Sequence, residues 1–311
     1  MSQRDLISND ELVRIVYATP RLALGEFHCE PEDRRWSEEN RADEGHFVVF
    51  PGTPVRIAQD GHDPVVATPN NVMFYNRHQT YRRTLVSARG DHCAFLLVNP
   101  QVLEEVARAF VPELKDPEIA PFPFCDRPCA ASTYLAHRML LRHVCSARPP
   151  DELFVEECLY RLVGDVVARS FGTAHRNEMP RRAATRTAHT EMVEEAKLVL
   201  IATLGERLTL EELAATLLTS PFHLARVFRQ RTGFSPHAFR THLRLRSSLG
   251  DVCDTQASLT DIAFDLGFSS PSHFSDSFRR VFGVPPSIAR ARSRSSSGSR
   301  RILEAATRRA S

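Results

Sequence analysis

Along this chain the apolar positions change their period twice. Between Leu22 and Val98 they come in short runs: Leu22–Phe27, His46–Phe50, Val55–Ile57, Val65–Ala67, Val72–Tyr75, Arg82–Val86 and Ala94–Val98. Pro51-Gly52, Asp60-Gly61, Pro69-Asn70-Asn71 and Arg89-Gly90-Asp91 cut them apart. Short, evenly spaced runs bounded by turn formers predict the strands of a small barrel or sandwich. The polar stretch Arg34–Gly45 predicts a loop. After Asn99-Pro100, a cap followed by a first-turn proline, the spacing becomes helical. Gln101–Phe110, Thr133–Cys145 and Asp151–Phe171 are predicted helices. Leu135, Met139, Leu140 and Val144 form one stripe. Leu153, Leu159, Leu162, Val163, Val166 and Val167 form most of another. Pro117–Pro123 is a connection, and Pro149-Pro150 folds the last two helices back on each other.

The C-terminal third carries one pattern written twice, Leu208–Pro236 and Ser258–Pro286. Leu210, Leu213, Ala214 and Leu217 match Leu259, Ile262, Ala263 and Leu266. After one extra residue in the second turn, Ser220, Pro221, His223, Leu224, Phe228, Gly233 and Pro236 match Ser270, Pro271, His273, Phe274, Phe278, Gly283 and Pro286. Each copy predicts a short helix, a tight turn and a second helix. Serine caps the second helix, proline fills its first turn and glycine ends it. That is a helix-turn-helix, whose second helix fits a DNA major groove. The copies differ at the turn: Gly267 suits a left-handed residue, whereas the first copy has Leu218-Thr219. A left-handed leucine costs roughly 1–2 kcal/mol.

The tandem repeat, with DIAFDLGFSS, SHF, FRRVFG and PP in order and Ser235–Val252 as the joining segment, resembles the paired helix-turn-helix domain of AraC/XylS transcriptional regulators. The resemblance covers about Glu191 to Arg290. It implies a cytoplasmic, DNA-binding regulator of promoters, an activator by family default, with RNA polymerase and a small-molecule effector as partners. It also implies that the N-terminal half is a cupin-like β-barrel serving effector binding or dimerisation. The expected fold class is α+β, a β-rich cupin-like barrel with flanking helices followed by an all-α tandem helix-turn-helix domain. The expected domains are 1–171, a linker at 172–190 carrying Arg176, Arg181, Arg182 and Arg186, a DNA-binding domain at 191–292, and a basic disordered tail at 293–311. In the family the helices before the linker often form a homodimer interface; as sequence they equally read as a cover for the barrel.

If Leu224, Val227 and Phe228 are buried, then Phe222, Ala225, Arg226 and Arg229 face outward. The resemblance places base contacts at Phe222, Ala225 and Arg226. Arg226 fits two-pronged pairing with guanine O6 and N7, with a phosphate contact as the alternative. Phe222 suits either a thymine methyl or a staple on the helix start. In the second copy Pro271, Ser272, Ser275 and Asp276 face outward. Asp276 departs from the basic residue common there in the family; it accepts from cytosine N4 or repels phosphate. Arg229, Arg240, Arg244, Arg246, Arg279 and Arg280 are the candidate phosphate contacts. A joining helix of about 20 Å suits successive major-groove faces about 34 Å apart. Because the copies differ, an asymmetric site of about two turns is expected.

The chain has 311 residues and a net charge of +2, so a nucleic-acid footprint must be local. Seven cysteines and an N-terminus without an apolar core of a leader suggest reduced thiols in the cytoplasm. No run approaches the roughly 20 apolar residues that span a bilayer. Enzyme motifs are missing: no Gly-rich phosphate loop, no Gly-x-Ser-x-Gly, no His-Glu-x-x-His. No cofactor is expected, because the His-x-His of ordinary metal-binding cupins is absent and Cys125/Cys129 lack a second ligand pair. His28-Cys29 and His92-Cys93 sit at predicted strand ends that a barrel would bring together, as a metal or redox site or as ordinary buried groups. A catalytic barrel and an architectural DNA-binding protein are the other classes weighed. The first lacks ligands, and the second leaves the long N-terminal half without a task.

Overall fold

The computed structural model describes residues 12–110, 121–146, 151–174 and 183–294, together with 298, 300, 301, 303 and 304. The chain divides into two compact units, Met1–Ala174 with Leu303–Ser311, and His175–Ile302. Among the described residues the first contains ten strands: β1 (Val13–Ala18), β2 (Leu22–Cys29), β3 (Asn40–Arg41), β4 (His46–Pro51), β5 (Val55–Gln59), β6 (Val65–Ala67), β7 (Asn71–Tyr75), β8 (Thr80–Leu85), β9 (Asp91–Val98) and β10 (Asp126–Pro128). All seven expected strands are present. β1, β3 and β10 were not foreseen: β1 mixes half-buried polar and apolar residues, and the other two are only two and three residues long.

The strands form two antiparallel sheets, ordered β1-β2-β9-β4-β7-β10 and β3-β8-β5-β6. Among the described residues no hydrogen-bonded ladder joins them, so the unit is a pair of sheets around a shared interior rather than one continuous closed ladder. Gly90 closes the turn into β9 at φ +78, and a Cβ there would lie 2.1 Å from the Cys29 carbonyl oxygen, which accounts for glycine at this position. Helices α1 (Pro100–Phe110), α2 (Ala131–Val144) and α3 (Glu152–Ala174) follow. Thr133, early in α2, donates to Asp165, late in α3, while His143 at the end of α2 meets Phe154 at the start of α3. The two helices are therefore antiparallel, as expected. α2 lies on the larger sheet through the Phe50–His137 ring stack and a hydrogen bond from the Tyr134 hydroxyl to the Pro51 carbonyl. Leu153, expected in the buried stripe of α3, is 77% exposed. It sits in the first turn, where Phe154 and Val155 already supply the apolar contact.

Among the described residues the regular elements of the second unit are all helices: α4 (Ala183–Ala202), α5 (Leu210–Thr216), α6 (Pro221–Thr232), α7 (Pro236–Ser247), α8 (Leu249–Asp254), α9 (Leu259–Asp265), α10 (Pro271–Phe282) and α11 (Pro286–Ser293). α4 begins eight residues before the expected start at Glu191, within the expected linker. Its apolar stripe, Val193, Ala196 and Leu200, is buried. Once those turns form, each added upstream residue costs little, and Ala183, Ala184 and Ala188 favour the helix. Residues 175–182 of that linker lie outside the described residues. In the expected tail, the described residues Gly298, Arg300, Arg301, Leu303 and Glu304 are helical, and Leu303 is buried. One apolar side chain in a basic segment gives it something to bury.

The two helix-turn-helix copies, α5–α6 and α9–α10, close their turns in the same way. Thr219 N–H donates to Ala214 O, and Phe268 N–H donates to Ala263 O. Leu218 at φ +51 occupies the position of Gly267 at φ +72. The second turn needs glycine on two counts, because a Cβ at Gly267 would meet the Gly205 carbonyl oxygen at 2.5 Å. The first turn opens to solvent, leaving Leu218 96% exposed, so only the backbone strain remains. Leu218→Gly relieves that strain at the cost of extra freedom in the unfolded chain. It should raise the stability of the second unit by about 0.5–1 kcal/mol in urea unfolding. A neutral or destabilising outcome would mean that the Leu218 side chain makes a contact of its own.

Candidate nucleic-acid interface

The recognition helices are positioned from both ends. Ser220 accepts from His223 N–H and Ser270 from His273 N–H, and proline occupies the first turn of each helix. Gly233 at φ +76 and Gly283 at φ +78 end α6 and α10 in the left-handed conformation. α5 starts with a capping box between Thr209 and Glu212, whose hydrogen bonds also hold the Glu212 carboxyl below its ordinary range. In α6, Leu224, Val227 and Phe228 are fully buried against Val193, Leu200, Leu213 and Phe239. In α10, Phe274 and Phe278 are fully buried beside Phe268.

What is left outward is the predicted reading face. Phe222 is 79% exposed, Arg226 is exposed and Ala225 is half-buried between them. The Arg226 guanidinium lies 3.4 Å from His223 Nδ1, a polar neighbour not foreseen in the sequence. On α10, Ser272 and Asp276 are exposed, and Pro271 and Ser275 are half-buried. His273 is also exposed, 3.1 Å from the Ser269 hydroxyl. Arg229, Arg279 and Arg280 are exposed on the later turns of the two helices, where a passing backbone would need cations.

Three of the expected phosphate contacts are corrected. Arg246 is 2% exposed and Arg240 is buried. Arg240 donates to the Thr203 and Glu206 carbonyls. Arg244 donates through Nε to Leu204 O at 2.6 Å, and through its terminal nitrogens to Glu206 O and Gly267 O, each at 3.3 Å. Burial, with Arg240 nearby, lowers the Arg244 guanidinium to about 10, still charged at neutral pH. Arg240 and Arg244 donate to carbonyls of the α4–α5 loop, and Arg244 ties that loop to the turn of the second copy. The α7 face that carries them is turned inward because the buried Phe239 and Leu243 share the same half of the helix. α7 is 12 residues long, about 18 Å. It holds the two copies within one framework.

Residues 213–292 match a protein family described as a helix-turn-helix domain. The regulatory protein PocR of Salmonella typhimurium is 28% identical over 139 residues, 45% of this chain and 45% of PocR. The HTH-type transcriptional regulator ArgR of Pseudomonas aeruginosa is 31% identical over 121 residues, 39% of this chain and 36% of ArgR. The HTH-type transcriptional activator RhaS of Escherichia coli is 41% identical over 63 residues, 20% of this chain and 23% of RhaS. The C-terminal unit contains a helix-turn-helix domain, and its similarity is to AraC-type regulators. The matches span less than half the length of these curated relatives. A crystal structure from Chromobacterium violaceum, titled as an AraC-type DNA-binding domain-containing regulator, shares 28% identity over 36% of this chain and 96% of its own, with a TM-score of 0.32.

Outside the helix-turn-helix domain, strand pairing sets His28 opposite His92, and their rings stack at 4.7 Å. The same register puts Cys29 opposite Asp91 and Cys93 opposite Phe27, so the two His-Cys pairs do not converge on one point. Burial raises the Cys29 and Cys93 thiols above their ordinary range, away from the thiolate. No group of three or more His, Cys, Asp or Glu among the described residues is arranged to hold a metal ion. No helix among them is long and apolar enough to cross a membrane.

Removing the Arg244 guanidinium takes its donors from the Leu204 and Gly267 carbonyls and leaves the Glu206 carbonyl to Arg240. Arg244→Met should destabilise the helix-turn-helix domain by about 2–4 kcal/mol in urea unfolding. Amide exchange should speed up at 203–207 and 266–268. An unchanged unfolding midpoint would show that the bracket carries no load.

Proposed function

We propose that the chain is a transcriptional regulator that reads promoter DNA with α6 and α10 in successive major-groove faces. The observation that carries this is the pairing of two capped recognition helices, each with one face buried and the other free, on a common frame of buried arginines. Phe222, Ala225 and Arg226 read bases in one half-site; Pro271, Ser272, Ser275 and Asp276 lie at the other. Arg229, Arg279 and Arg280 set the register by holding phosphates. Asp276 makes the second half-site the more selective against a close phosphate and suits a cytosine amino group.

The remaining parts of the reading rest on the relatives. RhaS is named an activator, and activation through RNA polymerase is the mode proposed for this chain. The N-terminal unit is the sensor: an effector bound there shifts the population toward the arrangement that binds DNA, or that contacts polymerase. The antiparallel pair α2–α3, with exposed Leu153, is the proposed surface for a homodimer. The cytoplasm is the proposed compartment.

Purified full-length protein at near-physiological salt, used to select fragments from its source genome, tests this. A few promoter fragments sharing an asymmetric motif of about two turns should be enriched. Arg226→Ala should then cost about 1–3 kcal/mol on that site and relax one base position. Equal weakening on every sequence would make Arg226 a phosphate contact, and no enrichment with or without added cell extract would overturn the reading.

A further inference from the structure

The two sheets of the N-terminal unit enclose a cavity of about 230 Å³. Most of its wall is apolar, with Ile15, Phe27, Phe47, Ile57, Met73 and Phe95 among the lining residues. The polar lining includes Tyr75, Tyr81, Arg83 and Asp91, with Arg41 and Glu44 also contributing. Arg83 is 4% exposed and occupies an inward position of β8, between outward Arg82 and Thr84. Its guanidinium lies over the Phe27 ring at 4.4 Å. One terminal nitrogen donates to Asn40 Oδ1 at 2.8 Å and to the Tyr81 hydroxyl at 3.3 Å. The other reaches Asp91 at 3.5 Å, and Nε has no partner. The ordinary range for such a bond is about 2.7–3.2 Å, so this buried cation is only loosely countered.

The rest of the polar wall also offers donors. Burial holds both phenols protonated, Tyr81 at about 12 and Tyr75 well above the ordinary range. Tyr81 already accepts from Arg83, which leaves its own proton to give. The cavity lining carries two carboxylates, Glu44 and Asp91, against two guanidinium groups, Arg41 and Arg83; Asp91 is the one beside Arg83, and burial raises it to about 6 in spite of that neighbour. A cation would meet Arg83. A wholly apolar guest would leave the guanidinium edge unanswered. An anion with an apolar body satisfies both walls.

We propose that this cavity binds a small carboxylic acid whose carboxylate pairs with the Arg83 guanidinium and whose apolar body fills the space between the sheets. Charge-assisted pairing of a guanidinium with a carboxylate is among the stronger hydrogen bonds, and the long 3.5 Å contact to Asp91 is the one a guest carboxylate would compete with. An apolar cavity of roughly 150 Å³ holds one benzene ring, so this one admits a ring with a short side chain. The proposal gives a ligand class to the sensor role proposed above, and depends on that role only for what binding does to DNA occupancy.

The test uses the full-length protein without DNA, which separates its failure from a failure of the DNA-reading proposal. The single tryptophan, Trp36, packs against the core cluster that includes Val55, Ile57, Met73 and Tyr75, so its fluorescence reports on the cavity. The probes are 3-phenylpropanoate and 3-cyclohexylpropanoate, each compared with its amide and its primary amine by fluorescence titration and calorimetry. At least one acid should bind at least tenfold more tightly than its amide, with no binding of the amines. Asp91→Asn, which removes the competing carboxylate, should tighten the acid several-fold and leave the amide unchanged. Arg83→Gln should bring the acid to the level of the amide, with folding checked by circular dichroism. Equal affinity of acid and amide, no binding of either acid at millimolar concentration, or weaker acid binding by Asp91→Asn would each overturn the proposal.

Discussion

The helix-turn-helix domain depends on how the carbonyls of its first loop are held. The segment between α4 and α5 is half-buried to exposed and runs outside a helix, so its carbonyls turn to local bonds, such as Glu206 N–H to Thr203 O, and to side chains. Arg240 and Arg244, one turn apart on α7, supply the missing donors. Arg244 goes further and reaches the Gly267 carbonyl in the turn of the second copy. A guanidinium suits this task because its donors are fixed in one plane and its charge persists on partial burial. A lysine would offer one movable point of charge. The first loop, the joining helix and the second turn thus share one set of hydrogen bonds, and the spacing of the two recognition helices follows from them.

The same constraint explains the difference between the two turns. Where the second turn meets Gly205, no side chain fits, and glycine supplies both the left-handed backbone and the close approach. Where the first turn faces solvent, leucine is tolerated with its strain. The recognition helices themselves are set by simpler means: a serine cap, a first-turn proline, an apolar stripe and a glycine stop. Those devices fix which face is buried and so which residues remain for DNA.

Much of this was legible in the sequence because period, caps and repeats are local. Seven strands, the helices of the N-terminal unit and both helix-turn-helix copies follow from spacing alone, as does the left-handed strain at Leu218. What was not legible is where long side chains end. Arg240, Arg244 and Arg246 look like a basic stripe, yet their destinations are carbonyls more than twenty residues away in sequence or the interior of the domain. Arg83 was equally silent: in TYRRTL, only the two-residue alternation of β8 marks it as the inward arginine and Arg82 as the outward one. The early start of α4 was missed because an exposed helical extension carries no apolar stripe.

The central claim is that two recognition helices on one arginine-braced frame read two neighbouring groove faces. Hydroxyl-radical footprinting of full-length protein on a selected promoter fragment tests it most directly. The account predicts two protected patches on one face of the duplex, centred about one helical turn apart, roughly 34 Å. It also predicts that the patch opposite α10 fades first in Arg244→Met under conditions where that variant remains folded. A single protected patch in the native protein, or two patches whose spacing is indifferent to Arg244, would contradict it.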